Sequence, residues 1–180
     1  RVLLLETSQP VRISGGSLGA ASVLVEAVPG GMKINGSPAK SEHRFNSGSI
    51  PFRIQGERIS GERYWGSILL ARSDQGLQII NEVPLETYIA GILMLEAYHT
   101  WHDEMLRAQA VVARTYALYE RERSGRRRYH VKADVTSQVY GGASAASAKA
   151  VRIVRETQAE FLAFRGKPIL AVYHSASGGT

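Results

Sequence analysis

The feature that most restricts this chain is a change of period at Pro84. Before it, apolar residues come in short runs separated by glycine, proline, asparagine and serine, whereas after it they recur at helical spacing. Val2-Leu3-Leu4-Leu5, Val11-Arg12-Ile13, 21–28, 32–34, 52–54, 68–71 and 77–80 read as strands. Ser14-Gly15-Gly16-Ser17, Pro29-Gly30-Gly31 and Asn35-Gly36-Ser37-Pro38 separate them. Asp74-Gln75-Gly76, between two apolar runs, reads as a hairpin turn.

A proline fits the first turn of a helix, because the N–H it lacks would be unpaired there. From Pro84 onward Leu85, Tyr88, Ile89, Ile92, Leu93 and Glu96 fall on one helical face. A second helix is predicted from His102 or Asp103, capped by Thr100, through Met105, Ala108, Gln109, Val112, Tyr116 and Tyr119. Ala108, Ala110 and Ala113 would let a neighbour approach it closely, and the charged run 121–128 ends it. A loop over 134–142 and a third helix over 145–156 follow, the helix with Ala148, Val151 and Val154 inward. Residues 161–164, a turn at 165–168 and 169–173 read as a hairpin that leads into His174-Ser175-Ala176-Ser177-Gly178-Gly179. Polar side chains just past a rigid strand are where catalytic loops are commonly held. The expectation is a single α+β domain over 1–180. Its β-rich part covers 1–82, and a helical part over 83–180 carries Glu96 and ends in a helix and hairpin that help enclose a substrate cleft.

Composition narrows the chemistry. A chain of 180 residues with 44% hydrophobic content can bury a core. The net charge of +6 suits an anionic polymer, either nucleic acid or cell-wall glycan with acidic peptides. The absence of cysteine excludes disulfides, thiolate zinc sites and a cysteine nucleophile. No run approaches the roughly 20 apolar residues of a membrane span, and any leader or anchor is expected upstream of Arg1.

Among candidate catalytic groups, Glu96 stands among Leu93, Met94, Leu95, Ala97 and Tyr98, a desolvated setting of the kind a general acid requires. A lone glutamate near a helix end is, however, more often paired with arginine or simply exposed. His174 and Ser175 point opposite ways on an extended segment, and no G-x-S-x-G is present, so a hydrolytic triad has little support. The histidines His43, His99, His102, His130 and His174 form no H-E-x-x-H, and no metal or cofactor is expected. Arg126-Arg127-Arg128 without a clamp, finger or aromatic ladder reads as a solvated loop, and no nucleic acid is expected.

Longer patterns are more specific. Val83-Pro84-Leu85-Glu86-Thr87-Tyr88-Ile89-Ala90-Gly91-Ile92, then Glu96, Trp101, and the run 104–117 containing Ala108-Gln109-Ala110 and Ala113-Arg114-Thr115-Tyr116 resemble the signature of the stage II sporulation protein D family. Relatives of that family include amidase-enhancer proteins. Tyr64-Trp65-Gly66-Ser67-Ile68, Ser137-Gln138-Val139-Tyr140-Gly141-Gly142 and Tyr173 to Gly179 resemble further parts of it.

The resemblance implies a peptidoglycan lytic transglycosylase that cuts between N-acetylmuramic acid and N-acetylglucosamine. It would leave 1,6-anhydro ends, on strands stripped of peptide. Glu96 matches the family's catalytic glutamate. Gln138, Tyr140, His174, Ser175 and Ser177 match loop positions expected to line the substrate groove, and Arg114 and Tyr116 match the long helix, where they are expected either to orient Glu96 or to hold the loops and are counted with the substrate-binding residues. The alternative it implies is a non-catalytic glycan-binding module that enhances an N-acetylmuramoyl-L-alanine amidase. Either would be exported, to the periplasm or the outer face of the cytoplasmic membrane. Two departures stand out: Ala97-Tyr98 replaces the family's methionine and proline, and 134–137 lacks the cysteine and histidine with which some relatives bind zinc. Relatives also continue past Thr180, so the chain is expected to be shortened at both ends.

Overall fold

The computed structural model describes residues 1–173. In chain order its first half forms β1 (Val2–Thr7), β2 (Val11–Ser14), β3 (Ser22–Val28), β4 (Gly31–Ile34) and β5 (Ser37–Ala39). These are followed by β6 (Glu42–Phe45), β7 (Phe52–Gly56), β8 (Ile59–Tyr64), β9 (Ser67–Ser73) and β10 (Gly76–Glu82). Helices α1 (Leu85–Glu96) and α2 (Asp103–Ser124) come next, then β11 (Val131–Lys132), α3 (Gly142–Ala145), α4 (Ala148–Glu156), β12 (Ala163–Phe164) and β13 (Lys167–Pro168). The protein is α+β, with strands first and helices after the change of period.

A five-stranded sheet runs β11-β1-β10-β9-β6, and a six-stranded sheet runs β5-β4-β3-β2-β7-β8. Their burial differs, and the sequence shows why. Ile68, Leu69, Leu70 and Ala71 on β9, and Leu77, Ile79 and Ile80 on β10, are all buried. Those strands are covered on both faces, so their apolar residues do not alternate regularly with polar ones, and on β10 half-buried Gln78 is the one polar residue between Leu77 and Ile80. On β2 and β7, buried Val11, Ile13, Phe52 and Ile54 alternate with exposed Arg12 and Arg53, which leaves one face of the second sheet wet. One buried cluster extends from Val2 to Val154 and joins both sheets to the helices.

Several elements differ from the sequence expectation. The N-cap of α2 is His102, not Thr100: its Nδ1 accepts from the Glu104 N–H at 3.3 Å. The buried line of α2 is Leu106, Ala110, Ala113 and Ala117, while Met105 is 54% exposed and Ala108 also faces outward. Small residues form this seam because the packed elements lie close, so side-chain size misleads about which face is inside. The helix expected over 145–156 is divided by Ser147, whose hydroxyl caps α4 by accepting from the Ala150 N–H. Ala150, Ile153 and Val154 face inward there, and Ala148 and Val151 face out. The C-terminal hairpin is shorter than expected. It turns at Arg165-Gly166, both with positive φ, and 169–173 is not strand. His174 to Thr180 lie outside the described residues.

Candidate functional site

Helix α1 stops at Glu96 because the backbone turns extended at Ala97, whose N–H closes the last turn on the Leu93 carbonyl at 3.1 Å. A carboxylate at this end of a helix is disfavoured by the helix dipole. It is held by a charge-assisted hydrogen bond from outside, since the Val139 N–H donates to Glu96 Oε1 at 2.5 Å. Among the described residues Glu96 forms no ion pair.

The loop that supplies Val139 cannot satisfy its own polar groups and borrows partners from both long helices. Gln138 is fully buried beneath it. Its Nε2 donates to the Ala113 carbonyl at 3.1 Å and to Tyr173 Oη at 3.0 Å, and its Oε1 accepts from Tyr88 Oη at 3.0 Å. Tyr140, also buried, donates to Asn81 Oδ1 at 2.9 Å and packs its ring against Tyr64 and Tyr88. The Gly141 N–H donates to the Gly91 carbonyl of α1 at 3.1 Å. Gly91 is required at that crossing, because a Cβ there would lie 2.6 Å from the Tyr140 ring and 2.9 Å from the Gly142 carbonyl. Burial pushes the hydroxyl pKa of Tyr88, Tyr140 and Tyr173 above the ordinary tyrosine value, and the nearby Glu96 charge adds to the effect at Tyr88 and Tyr173.

Glu96 opens on a pocket of about 530 Å³, lined also by Leu95, Tyr98, Trp101, Gln109 and Tyr173. Tyr98 and Trp101 meet edge to face, with ring centroids 5.7 Å apart. A larger pocket, of about 840 Å³, lies at the opposite end of α1 and contains Glu82 and Glu86. Its carboxylates are committed to cations. Glu86 receives both Nε and Nη2 of Arg114, at 3.0 and 2.6 Å, and Glu82 pairs with Arg1 and Arg44. The smaller pocket therefore holds the carboxylate that forms no ion pair among the described residues.

The sequence-predicted residues separate into groups. Glu96 faces the pocket. Gln138 and Tyr140 sit beneath the loop, with their polar atoms bonded to the protein itself and none turned to a solvent-facing surface. Arg114 is not beside Glu96. It is fully buried at the other end of α1, roughly 15 Å away along the helix axis, where it also donates to the Glu160 carbonyl at 3.0 Å. Tyr116 is half-buried on α2. His174, Ser175 and Ser177 lie outside the described residues. Sequence reasoning did not single out Val139, Tyr173, Gln109 or Asn81. Val139 acts through its backbone, which no side-chain pattern reveals. Among the described residues no three His, Asp or Glu side chains gather as a metal-ligand set, and no helix is long and apolar enough to cross a membrane.

The fold and pocket describe an α+β domain in which Glu96, without an ion pair among the described residues, faces an aromatic-walled pocket. Residues 73–164 match the family model described as Stage II sporulation protein (SpoIID), and the chain belongs to that cell-wall-related family. It is 31% identical over 132 residues to an uncharacterized protein of Brachyspira hyodysenteriae (strain ATCC 49526 / WA1). That similarity covers 72% of this chain and 36% of the relative, so the chain spans about a third of the relative's length.

Proposed function

We propose that this chain is a peptidoglycan lytic transglycosylase with Glu96 as its single acid and base. The observation that carries the reading is that Glu96 forms no ion pair among the described residues, has one oxygen fixed by Val139 N–H at 2.5 Å, and faces an aromatic-walled pocket. Hydrolysis by the usual route needs two carboxylates flanking the bond. The described lining of this pocket holds one. A lytic transglycosylase can work with one, because its nucleophile is tethered to the substrate.

In this reaction Glu96 gives its proton to the oxygen joining N-acetylmuramic acid to N-acetylglucosamine. As the C1–O bond breaks, the muramic C6 hydroxyl attacks C1 and its proton passes to the Glu96 carboxylate. The products are an N-acetylglucosamine 4-hydroxyl and a 1,6-anhydro end, and the acid is restored without water. Gln138 and Tyr140 act beneath the loop by fixing Val139. Tyr98 and Trp101 offer apolar faces for pyranose rings. Family membership supports an envelope location, and the reading places the protein on exported glycan strands stripped of peptide, in the periplasm or on the outer face of the cytoplasmic membrane.

The test is mass spectrometry of products from peptide-stripped glycan strands, comparing the protein with Glu96→Gln. The expected result is 1,6-anhydro-muramic ends that disappear in the variant, a loss of about 10²-fold or more for a general acid. Reducing ends would instead mean hydrolysis. Binding of strands with no product of either kind would leave the protein a glycan-binding module of the amidase-enhancer type.

A further inference from the structure

The larger cavity, of about 840 Å³ at the N-terminal end of α1, has no part in the reaction above. Trp65 stands in its wall and is 40% exposed. A large aromatic ring left open to solvent inside a cavity is the kind of surface that ligands cover. Its position is fixed from beneath. Buried Asn81 donates from Nδ2 to the carbonyls of Trp65 and Ser67, at 2.9 and 3.2 Å, which pins the turn between β8 and β9. Gly66, with φ at 90°, lets that turn press on the Glu82 carbonyl, where a Cβ would collide. Asn81 Oδ1 accepts from Tyr140, the neighbour of the Val139 that holds Glu96. The chain continues from that loop through Ala143 and Ala146, which line the cavity. The two pockets are thus built on one shared segment, at opposite ends of α1, with Glu86 and Glu96 roughly 15 Å apart along its axis.

The other lining groups set the chemistry of the ligand. Ser67, Thr87 and Gln158 carry hydroxyl and amide groups that both donate and accept. Glu82 and Glu86 are already neutralised by arginines, and Arg155 forms no ion pair among the described residues. A hydrocarbon ligand would strand the hydroxyls and the amide, and a polycation would be repelled by Arg155. A pyranose meets both demands, with an apolar C–H face for the indole and a rim of hydroxyls for the polar groups. We propose that this cavity is a second saccharide site, in which a sugar stacks on Trp65 while another part of the same strand lies at Glu96. The inference rests on the glycan reading above, but it concerns the holding of a polymer at two points rather than bond cleavage. Two linked contacts raise the affinity for a long strand beyond that of either alone.

The chain has two tryptophans, Trp65 in this cavity and Trp101 in the Glu96 pocket, so each site carries its own fluorescent reporter. Trp101→Phe leaves the emission of Trp65, and Trp65→Phe leaves that of Trp101. Both are made with Glu96→Gln, so that strands are not cut, and are titrated with peptide-stripped glycan strands. Trp65 emission should change saturably, and the bound strand should shield Trp65 from quenching by acrylamide. Trp65→Ala, its fold verified by the thermal midpoint, should bind long strands about tenfold or more weakly, the scale on which a second linked contact acts. A Trp65 that stays open to acrylamide while Trp101 responds overturns the proposal and leaves the glycan reading standing. So does a folded Trp65→Ala that binds long strands within about twofold of the parent. Response at neither tryptophan overturns both. Shielding of Trp65 together with no anhydro product from the wild-type protein would overturn the transglycosylase reading alone.

Discussion

Arg114 and Glu86 form a two-point ion pair at one end of α1, and the opposite end of that helix carries Glu96. The pair fixes the rod on which the acid is mounted, with the Arg114 side chain 1% exposed and that of Glu86 32% exposed. The asymmetry predicts an order of damage. Arg114→Met leaves a carboxylate that water can reach and should cost about 2–4 kcal/mol, whereas Glu86→Leu strands a buried guanidinium and should cost about 3–5 kcal/mol. Urea unfolding of both variants tests this. A costlier Arg114→Met would mean that its bonds to the Glu160 and Val154 carbonyls matter more than the ion pair.

Gln138→Leu removes the acceptor of the Tyr88 hydroxyl and the donor to Tyr173 in one step. Stability should fall by about 2–4 kcal/mol, since buried polar groups are left unpaired. On the proposed reaction kcat should fall more than KM rises, because Val139 loses its support while the pocket walls remain. Product release from glycan strands, measured well below the thermal midpoint, gives the split. A change confined to KM would place Gln138 in sugar binding instead.

Gly91→Ala sets two effects against each other. Alanine gains about 1 kcal/mol over glycine in a helix interior. Its Cβ, though, would lie 2.6 Å from the Tyr140 ring and 2.9 Å from the Gly142 carbonyl, and overpacking of that kind costs about 1–3 kcal/mol. The clash should win, with a lower thermal midpoint and a displaced 138–141 loop. Tyr140→Leu in the same chain should recover part of the loss.

The buried tyrosines set the alkaline limit. Burial raises the pKa of Tyr64, Tyr88, Tyr140 and Tyr173 in the folded state. The native state therefore holds these protons where the unfolded chain releases them. Their contribution is complete below about pH 10 and is lost above it, by about 1.4 kcal/mol per pH unit for each tyrosine. Tyrosinate absorbance should appear together with loss of structure. Ordinary titration of these groups near pH 10 in a protein that remains folded would contradict the burial argument.

How much of this was legible in the sequence depends on where each signal is stored. The apolar runs of β9 and β10 and the helical face from Leu85 to Leu93 are local, and they reappear in the structure. β6 is hidden because Glu42 and Arg44 face solvent, with only Phe45 buried, so its strand character comes from pairing with β9. β5 contains Pro38, β8 contains Gly61, and β11 is two residues long, so each exists through its neighbour rather than its own pattern. At the candidate site Glu96 is visible as a motif position. The backbone donor at Val139 is a property of packing, and no spacing rule encodes it.

The pairing of β1 has a consequence in time. Val2 lies opposite Asn81 on one side and Val131 on the other, the latter in parallel. The opening strand cannot be completed until a segment beyond residue 130 arrives, and closing so long a loop is entropically costly and slow. During synthesis the apolar run Val2-Leu3-Leu4-Leu5 must stay unsheltered on one edge until residues 131–132 have followed it. A strand made well before its partner is thus among the last parts of this sheet to be locked in place.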